Sequence, residues 1–293
     1  MHRLFFVRSV LAIVAGLLAA GAAFAGAAAA GTPAAGTPVY NFSPVNLYNL
    51  QVSASFWNPI IRYVSRKSGI RLNLKLGRTS ADTTSYVLAR EVDFAYTNHL
   101  FSPARARLGW TVFGRRNAPP VRAQIVVPAD SPIKSLAELA GGAVAFPGPE
   151  APLAYKMTYA QLLRQNIPVD VVFAGNTDAA FTQLFAGKAR AAGASSELVD
   201  NYRGRERKSF RVLWRSEPFI DLALMASPRV PADQVRAVAQ AFFGMDKDPE
   251  GQRILEAATE LVHMETPLSF VAASDTDFAN YRAFHASAPP TVR

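Results

Sequence analysis

Residues that could carry catalysis are sparse and scattered in this sequence. The chain has no cysteine, which excludes a disulfide framework, a thiolate metal site and a cysteine nucleophile. Of its four histidines, His99 follows a predicted strand and could contact a ligand, whereas His263 and His285 lie in the helical C-terminal part and are interpreted as structural. Histidines so dispersed do not indicate a metal-binding or acid–base group.

Carboxylate pairs and sequence motifs add no catalytic group. Glu91 and Asp93 are two residues apart, which suits a turn or a helix start better than an acid–base pair, and 275–277 repeats this spacing. The sequence lacks a phosphate-binding glycine loop, a G-x-S-x-G nucleophile motif and an HExxH zinc motif. We therefore predict no catalytic residue, no metal ion and no cofactor, and a binding protein is favoured over an enzyme.

Polar residues do cluster where predicted strands lead into predicted helices. In open α/β sheets, ligands lie beyond the carboxyl ends of strands, where N–H groups at helix starts point into a crevice. Turn chemistry alone explains one such polar junction, but five together indicate a binding cleft. The five junctions are residues 49–55, 77–80, 96–99, 148–152 and 175–178.

The elements that must position these junctions alternate between strand and helix. Residues 45–50 are predicted as a strand, 56–68 as a helix and 71–76 as the next strand, and the alternation continues along the chain. Apolar strands alternating with helices predict an α/β fold with parallel sheets covered on both faces. No Pro/Ser-rich linker interrupts residues 40–285, so two lobes would be joined through strands rather than a loose tether.

Residues 1–25 predict a cleaved export signal. Two arginines precede a short apolar run, and Ala-Phe-Ala at 23–25 supplies the small-x-small pattern for cleavage after Ala25. Residues 26–39 predict a flexible Ala/Gly-rich leader. The mature protein is therefore predicted to be periplasmic, with an uncleaved N-terminal anchor as the alternative. The formal charge of +9 favours anionic partners, but export disfavours nucleic acid among them.

Five stretches occur in an order that is typical of one family. They are 56–76, Glu-Val-Asp-Phe-Ala-Tyr at 91–96, 125–139 with Asp-Ser-Pro-Ile-Lys-Ser-Leu, 173–187 with Phe-Ala-Gly-Asn-Thr-Asp, and 212–216. In this order the chain resembles the periplasmic solute-binding proteins of phosphate, phosphite and phosphonate ABC transporters. The resemblance covers about residues 43–260.

The resemblance implies a type 2 periplasmic-binding fold, in which two α/β lobes hold a solute between them. Each lobe would be a mostly parallel sheet flanked by helices, and two crossing strands would form the hinge. The first lobe is expected at 40–121 plus 217–285, the second at 122–216, and a tail at 286–293. The implied partners are a small-molecule ligand and an inner-membrane permease; an enzyme on the same fold is the weaker alternative.

Ten residues at the junctions are candidate ligand contacts. By position, Tyr96 matches the family's aromatic residue at the end of the third strand. Asn176 and Thr177 match the polar pair that follows a strand of the second lobe. The full set is Ser53, Ser55, Trp57, Thr79, Tyr96, Asn98, Glu150, Tyr155, Asn176 and Thr177.

One departure from the family leaves two ligand classes open. Where phosphonate-binding members carry hydroxyl residues that grip the anion, this chain has Pro-Glu-Ala-Pro-Leu-Ala at 149–154. The proline at 152 removes an N–H donor, and Glu150 adds a charge that would repel a phosphonate. The resemblance implies a phosphonate- or phosphate-type ligand. The altered loop instead favours an apolar or amphipathic ligand, such as a lipid or sterol-like molecule.

Overall fold

The computed structural model of the protein describes residues 38–293. The predicted signal peptide at 1–25 and almost all of the predicted leader at 26–39 lie outside the described residues. The first strand already begins at Val39. Within this described part, no helix combines the length and apolar character that crossing a bilayer requires.

The strands are β1 (Val39–Pro44), β2 (Arg71–Leu74), β3 (Phe94–Thr97), β4 (Thr111–Arg116), β5 (Val121–Pro128), β6 (Ala143–Phe146), β7 (Asp170–Phe173), β8 (Ala191–Ser195), β9 (Phe210–Phe219), β10 (Ala223–Ala226) and β11 (Phe270–Ala272). The α-helices are α1 (Leu50–Ser68), α2 (Asp82–Leu88), α3 (Pro103–Ala106), α4 (Thr158–Arg164), α5 (Thr177–Phe185), α6 (Ser196–Glu206), α7 (Ala232–Phe243), α8 (Pro249–Leu261) and α9 (Ala279–Ser287). A π-helical turn, Pro152–Met157, leads directly into α4.

Residues 38–293 build two sheets, and each sheet is the centre of one lobe. The first sheet has six strands in the order β11-β4-β10-β3-β1-β2, and the second has five in the order β7-β6-β8-β5-β9. The two-lobed α/β architecture is thereby confirmed. The expectation of mostly parallel sheets is wrong, because parallel pairing is confined to β2-β1-β3 and β7-β6-β8. The strands that enter from the opposite lobe, β10 and β5, run antiparallel to their neighbours.

Two strand connections join the lobes. Strand β4 leads into β5 through residues 117–120, and β9 leads into β10 through residues 220–222. The same strands pair with each other on both sides, β10 with β4 in the first sheet and β5 with β9 in the second. The expected pair of crossing strands is therefore present.

The C-terminal segment adds a third link between the lobes. Tyr281 of α9 is fully buried in a cluster with Phe101 of the first lobe and Leu153 of the second. Further on, Ala288 and Val292 pack into the core of the second lobe. Residues 286–293, expected as a tail, are a packed element because they bury apolar side chains there.

One local element differs from the sequence prediction in a way that matters for the site. Residues 45–50 are not a strand, because β1 ends at Pro44 and α1 begins at Leu50. The side chain of Asn49 caps this helix by accepting a hydrogen bond from the Val52 N–H at 3.0 Å. The buried apolar residues of this segment face the space between the lobes instead of a sheet.

Candidate functional site

Two adjacent cavities lie between the lobes, with volumes of about 30 and 40 Å³. We call them the aromatic cavity and the polar cavity. Five residues line both, namely Val45, Leu47, Leu198, Asp221 and Leu222. The aromatic cavity is also lined by Tyr48, Ser53, Phe56, Trp57, Tyr96, Arg116, Glu197, Met264, Leu268 and Phe270. The polar cavity is also lined by Ser80, Asn98, His99, Pro147, Ala151, Pro152, Leu153, Ala154, Thr177 and Ser195.

Five of the ten sequence-predicted contacts meet at these cavities. Ser53 and Trp57 of α1 and Tyr96 of β3 line the aromatic cavity. Asn98, just after β3, and Thr177, the first residue of α5, line the polar cavity from opposite lobes. Asn98 and Thr177 are far apart in the sequence, yet they line one cavity because Asn98 follows the carboxyl end of β3 and Thr177 follows that of β7.

Three of the remaining predicted contacts lie outside the cavities, and two of them hold local structure. Ser55 is exposed on α1. The Thr79 hydroxyl donates to the Asp82 carboxylate at 2.8 Å and so holds the loop before α2. The Asn176 side chain caps α5 by accepting from the Ala179 N–H at 2.9 Å.

The other two predicted contacts also lie away from the cavity walls. Tyr155 is buried in the second-lobe core, where its ring stacks on Tyr159 with centroids 5.5 Å apart. Glu150 forms an ion pair with Arg105 of the first lobe at 3.4 Å. The charge of Glu150 is therefore offset across the lobe boundary instead of facing a ligand.

Three helix starts of the second lobe converge on the polar cavity. They are the π-helical turn at Pro152, α5 at Thr177, and α6 directly after Ser195. Helix N-termini carry unsatisfied N–H groups and a partial positive charge, which favours an anion. The Ser195 hydroxyl is buried and has no hydrogen-bond partner within residues 38–293, so it is free to bind a ligand.

The first lobe contributes neutral polar groups to the polar cavity. Burial, reinforced by nearby Lys156 and Arg105, lowers the pKa of His99 to about 3, so its ring is uncharged. His99 Nδ1 lies 3.0 Å from the Thr84 hydroxyl. If that hydroxyl donates, the imidazole proton is on Nε2, where it can serve as a donor. Asn98 Nδ2 donates to the Asp221 carboxylate at 3.2 Å.

A buried charged cluster lines the aromatic cavity. The Arg116 guanidinium, at the end of β4, donates to the carboxylate of Glu197, in the first turn of α6. Their side chains are only 11% and 17% exposed. Burial lowers the pKa of Arg116, but Glu197, Tyr96 and Asp221 together raise it by more, so the net shift is upward and the guanidinium stays charged. Burial and the nearby charge of Glu197 raise the pKa of Asp221 to about 7, although Arg116 acts in the opposite direction.

Two tyrosines complete the wall as uncharged groups. Burial raises the pKa of both Tyr48 and Tyr96, so each phenol keeps its proton at physiological pH. The Tyr48 hydroxyl of the first lobe lies 3.3 Å from the side-chain amide of Asn201 in the second. This contact joins the lobes beside the aromatic cavity.

Direct hydrogen bonds also join the lobes at the polar cavity. The Ser80 N–H donates to the Gly175 carbonyl at 2.7 Å, and the Ser80 hydroxyl donates to the Pro147 carbonyl at 3.2 Å. A side chain at Gly148 would come within 2.6 Å of the Ser80 hydroxyl. The structure is thus a closed arrangement of the two lobes, which explains why both cavities are small.

Sequence reasoning missed the four most informative site residues, Arg116, Ser195, Glu197 and Asp221. Ser195 stands at a sixth strand-to-helix junction, the end of β8, of the kind that predicted the other candidates. Arg116 and Asp221 lie at the strand connections between the lobes. No local pattern marks them, because they meet Glu197 only through the tertiary fold.

Comparison with known proteins places this geometry in a family. The family model for the phosphonate ABC transporter periplasmic substrate-binding protein matches residues 42–278. No functionally curated protein shows significant similarity to the sequence.

Solved structures share the fold at low sequence identity. A binding protein component of an ABC phosphonate transporter from Pseudomonas aeruginosa is 17% identical, with a TM-score of 0.69 and 83% of each chain covered. PhnD1 from Prochlorococcus marinus, solved with methylphosphonate, is 13% identical, with a TM-score of 0.66. The match covers 83% of this chain and 95% of PhnD1. A Xanthomonas citri protein solved with ATP is 16% identical, with a TM-score of 0.64 and coverages of 85% and 96%. Because the family model spans most of the sequence, this chain belongs to the periplasmic substrate-binding proteins of phosphonate ABC transporters.

Proposed function

We propose that this protein captures a small phosphonate-type anion in the polar cavity and delivers it to an inner-membrane permease. The convergence of three second-lobe helix starts on one small cavity carries this proposal. Each start offers N–H groups and a partial positive charge to an oxyanion. The Prochlorococcus marinus relative, which shares the fold, holds methylphosphonate.

Side-chain donors in the polar cavity supply what the 149–154 loop lacks. The Ser195 hydroxyl is 4% exposed and lacks a partner within the described chain, so an incoming oxyanion would satisfy it. The Thr177 side chain lines the same cavity from the start of α5. Hydroxyl donors thus come from the first residue of α5 and from the end of β8, directly before α6, instead of from the π-helical turn.

The 149–154 loop, which favoured an apolar ligand in the sequence, gives little support for such a ligand in the folded structure. Glu150 is paired with Arg105 and lines neither cavity, so its charge is not aimed at a bound anion. In this closed arrangement, cavities of about 30 and 40 Å³ leave no room for a lipid or sterol. A lipid or sterol would require a much wider separation of the lobes, and the family assignment does not support this ligand class.

The cellular route of the protein belongs to the same proposal. Residues 1–25 would direct export and be cleaved after Ala25, leaving the mature chain in the periplasm. The lobes would span 40–121 plus 217–285 and 122–216 and would close around the solute about the two strand connections.

Isothermal titration calorimetry on the mature protein tests the proposal, with methylphosphonate, phosphite and phosphate as ligands and acetate as the control anion. We expect methylphosphonate to bind and acetate not to bind. Ser195→Ala should weaken methylphosphonate binding about tenfold, because one hydrogen bond to a charged group is lost. The melting temperature of the free protein should change little, since the hydroxyl has no partner in the described chain.

The matched control is Ser55→Ala, which removes an exposed hydroxyl from α1 outside both cavities. It should leave the affinity unchanged. Equal affinities for wild type and Ser195→Ala would show that the anion is not held at the polar cavity. The absence of binding to all three phosphorus oxyanions would overturn the proposed ligand class.

A further inference from the structure

The C-terminal segment of the chain contacts both lobes at once. It consists of a 3-10 turn at Asp275–Phe278, helix α9 and a second 3-10 turn at Pro290–Val292, and we call it the C-terminal strap. Its first part packs on the first lobe, where the Phe278 ring stacks on Phe101 with centroids 4.7 Å apart. Its last part lies in the second-lobe core, where Val292 is only 2% exposed. The strap thus has one anchor in each lobe.

The two anchors oppose any rotation of one lobe relative to the other. Helix α9 joins them as one unbroken helix of nine residues, Ala279–Ser287, so the strap moves as a rigid piece. A rigid piece cannot follow both lobes when they separate, so one anchor must yield. Phe278 and Val292 are both almost fully buried, and the release of either exposes apolar surface to water. The strap therefore favours the closed arrangement.

Tyr281 lies where the strap crosses the lobe boundary, and its hydroxyl connects the polar cavity to the hinge. The hydroxyl oxygen accepts a hydrogen bond from Asn98 Nδ2 at 3.3 Å. Its own proton is shared between the Ile220 and Asp221 carbonyl oxygens, at 2.9 and 3.1 Å. Asn98 lines the polar cavity, and residues 220–222 are the connection between β9 and β10. One hydroxyl therefore links a cavity-lining side chain to the hinge.

The same contact fixes the orientation of the Asn98 side chain. The amide nitrogen of Asn98 has two N–H groups, of which one donates to the Asp221 carboxylate and the other to the Tyr281 hydroxyl. With both donors engaged, the amide group is held in one orientation at the cavity wall. The Tyr281 ring is fully buried against Phe101 of the first lobe and Leu153, which lines the polar cavity from the second.

We propose that Tyr281 is a positioning residue for ligand capture, which holds Asn98 at the polar cavity and stabilises the closed arrangement through the C-terminal strap. Tyr281 lines neither cavity, so it acts through Asn98 and the hinge. When the lobes separate, its contacts across the boundary are lost. The strap thereby favours closure in the free protein and slows the release of a bound ligand. Closure of the free protein does not depend on which ligand binds, so this role is separate from the proposed function.

Double electron–electron resonance measures the separation of the lobes in the free protein. The chain has no cysteine, so spin labels attach only at two introduced cysteines. Two exposed positions suit them, Ser85→Cys in α2 of the first lobe and Ala186→Cys directly after α5 of the second. Tyr281→Phe keeps the buried ring and removes only the hydroxyl. It should increase the share of the longer distance in the free protein, and saturating methylphosphonate should restore the wild-type distance.

Stopped-flow kinetics distinguish positioning from a general loss of structure. Methylphosphonate binding is followed by tryptophan fluorescence, because Trp57 lines the aromatic cavity. Tyr281→Phe should raise the dissociation rate about threefold to tenfold, because the hydroxyl acts in the closed state. The association rate should change less than about twofold. A purely structural role would lower the melting temperature and leave the dissociation rate unchanged.

Val292→Ala weakens the far anchor of the strap and should shift the lobe distances and the dissociation rate in the same direction. Its matched control is Val144→Ala, because Val144 lies in the same second-lobe core but belongs to β6. The control for the hydroxyl is Tyr202→Phe, because Tyr202 is buried within the second lobe and its hydroxyl bonds to Thr182 there. Both controls should keep wild-type distances and dissociation rates, even if their melting temperatures fall.

Two results would overturn the role of the strap. One is wild-type distances and dissociation rates in both Tyr281→Phe and Val292→Ala. The other is an equal shift in Val144→Ala and Val292→Ala, since a general loss of second-lobe packing would then explain it. If Tyr281→Phe does not fold, Val292→Ala decides by the same measurements. If methylphosphonate does not bind wild type, the proposed function fails, and the distances in the free protein decide the role of Tyr281.

Discussion

At the scale of single residues, the site is distinguished by buried polar groups that the fold itself does not need. Ser195 has no hydrogen-bond partner in the described chain. Asp221 is buried near the like charge of Glu197 and the opposite charge of Arg116. Such groups cost stability unless something compensates for them. Their concentration at the two cavities separates ligand-binding positions from Thr79 and Asn176, whose side chains are already engaged in holding local structure.

Asp221→Asn should change how stability depends on pH. Burial, with Glu197, raises the pKa of Asp221 from 3.8 to about 7 in the folded protein. Between these two pKa values the folded state holds a proton that the unfolded chain releases. The contribution of Asp221 to the free energy of unfolding therefore falls as the pH rises from 3.8 to about 7. The loss is at most about 4 kcal/mol and is absent in the asparagine variant.

Urea denaturation at pH 5 and pH 8 measures this effect. Wild type should lose stability relative to Asp221→Asn between the two pH values. Asp170→Asn, at an exposed position at the start of β7, controls for the loss of one acidic residue. A constant difference between wild type and Asp221→Asn at both pH values would contradict a raised pKa at this carboxyl.

At the scale of elements, the polar cavity depends on a close approach between β8 and the π-helical turn Pro152–Met157. Gly193 of β8 makes the approach possible, because a Cβ there would lie 2.0 Å from the Ala154 carbonyl oxygen. In that turn the N–H groups of Tyr155 and Lys156 both donate to the Ala151 carbonyl. The turn is thereby held with Leu153 and Ala154 against the cavity.

Gly193→Ala should displace the turn and weaken ligand binding. The new methyl group would collide with backbone and with the buried Phe146 ring, neither of which can rotate away. Overpacking of this kind costs about 1–3 kcal/mol. Urea denaturation should show that loss, and calorimetry should show weaker methylphosphonate binding.

The same substitution at Gly142 is the matched control. Its Cβ would lie 2.3 Å from Cδ of Arg190, an exposed and flexible side chain that can move. Gly142→Ala should therefore cost much less stability and leave binding intact. Equal losses in the two variants would mean that the β8 approach does not control the site.

At the scale of the whole molecule, contacts on the cleft side hold the lobes closed. Arg205 at the end of α6 donates to Asp178 at 2.6 Å, and its guanidinium lies over the Tyr48 ring of the first lobe, 5.6 Å from the centroid. The Asp178 carboxylate in turn accepts from the Asn49 N–H of the first lobe. These groups bridge the lobes at the place where the lobes would separate on opening.

Arg205→Ala should shift the free protein toward a more open arrangement. Small-angle X-ray scattering should give a larger radius of gyration without ligand, and saturating methylphosphonate should restore the smaller value. Because closure then costs more free energy, affinity should fall about threefold to tenfold.

Arg203→Ala is the control on the same helix. Its guanidinium pairs with Asp200 at 2.9 Å within α6, so removing it breaks no contact between the lobes. It should leave both the scattering curve and the affinity unchanged. The same scattering curve for wild type and Arg205→Ala would show that this residue does not hold the closed form.

The sequence by itself determined the α/β class, the order of its junctions and the family that this order resembles. It also identified Tyr96, Asn98 and Thr177 as junction residues, and all three line the cavities. These features are local, because hydrophobic periodicity and turn chemistry act over a few residues. It failed at 45–50, where an apolar run lines the space between the lobes instead of forming a strand.

Only the tertiary structure decided how charge is arranged in the cleft. Arg116, Glu197 and Asp221 come from three separate elements and meet because the chain crosses between the lobes twice. Likewise, Glu150 is neutralised by Arg105 from the other lobe, which no reading of the 149–154 loop could foresee. Burial and pairing set the energy of a charge, and both depend on residues distant in sequence.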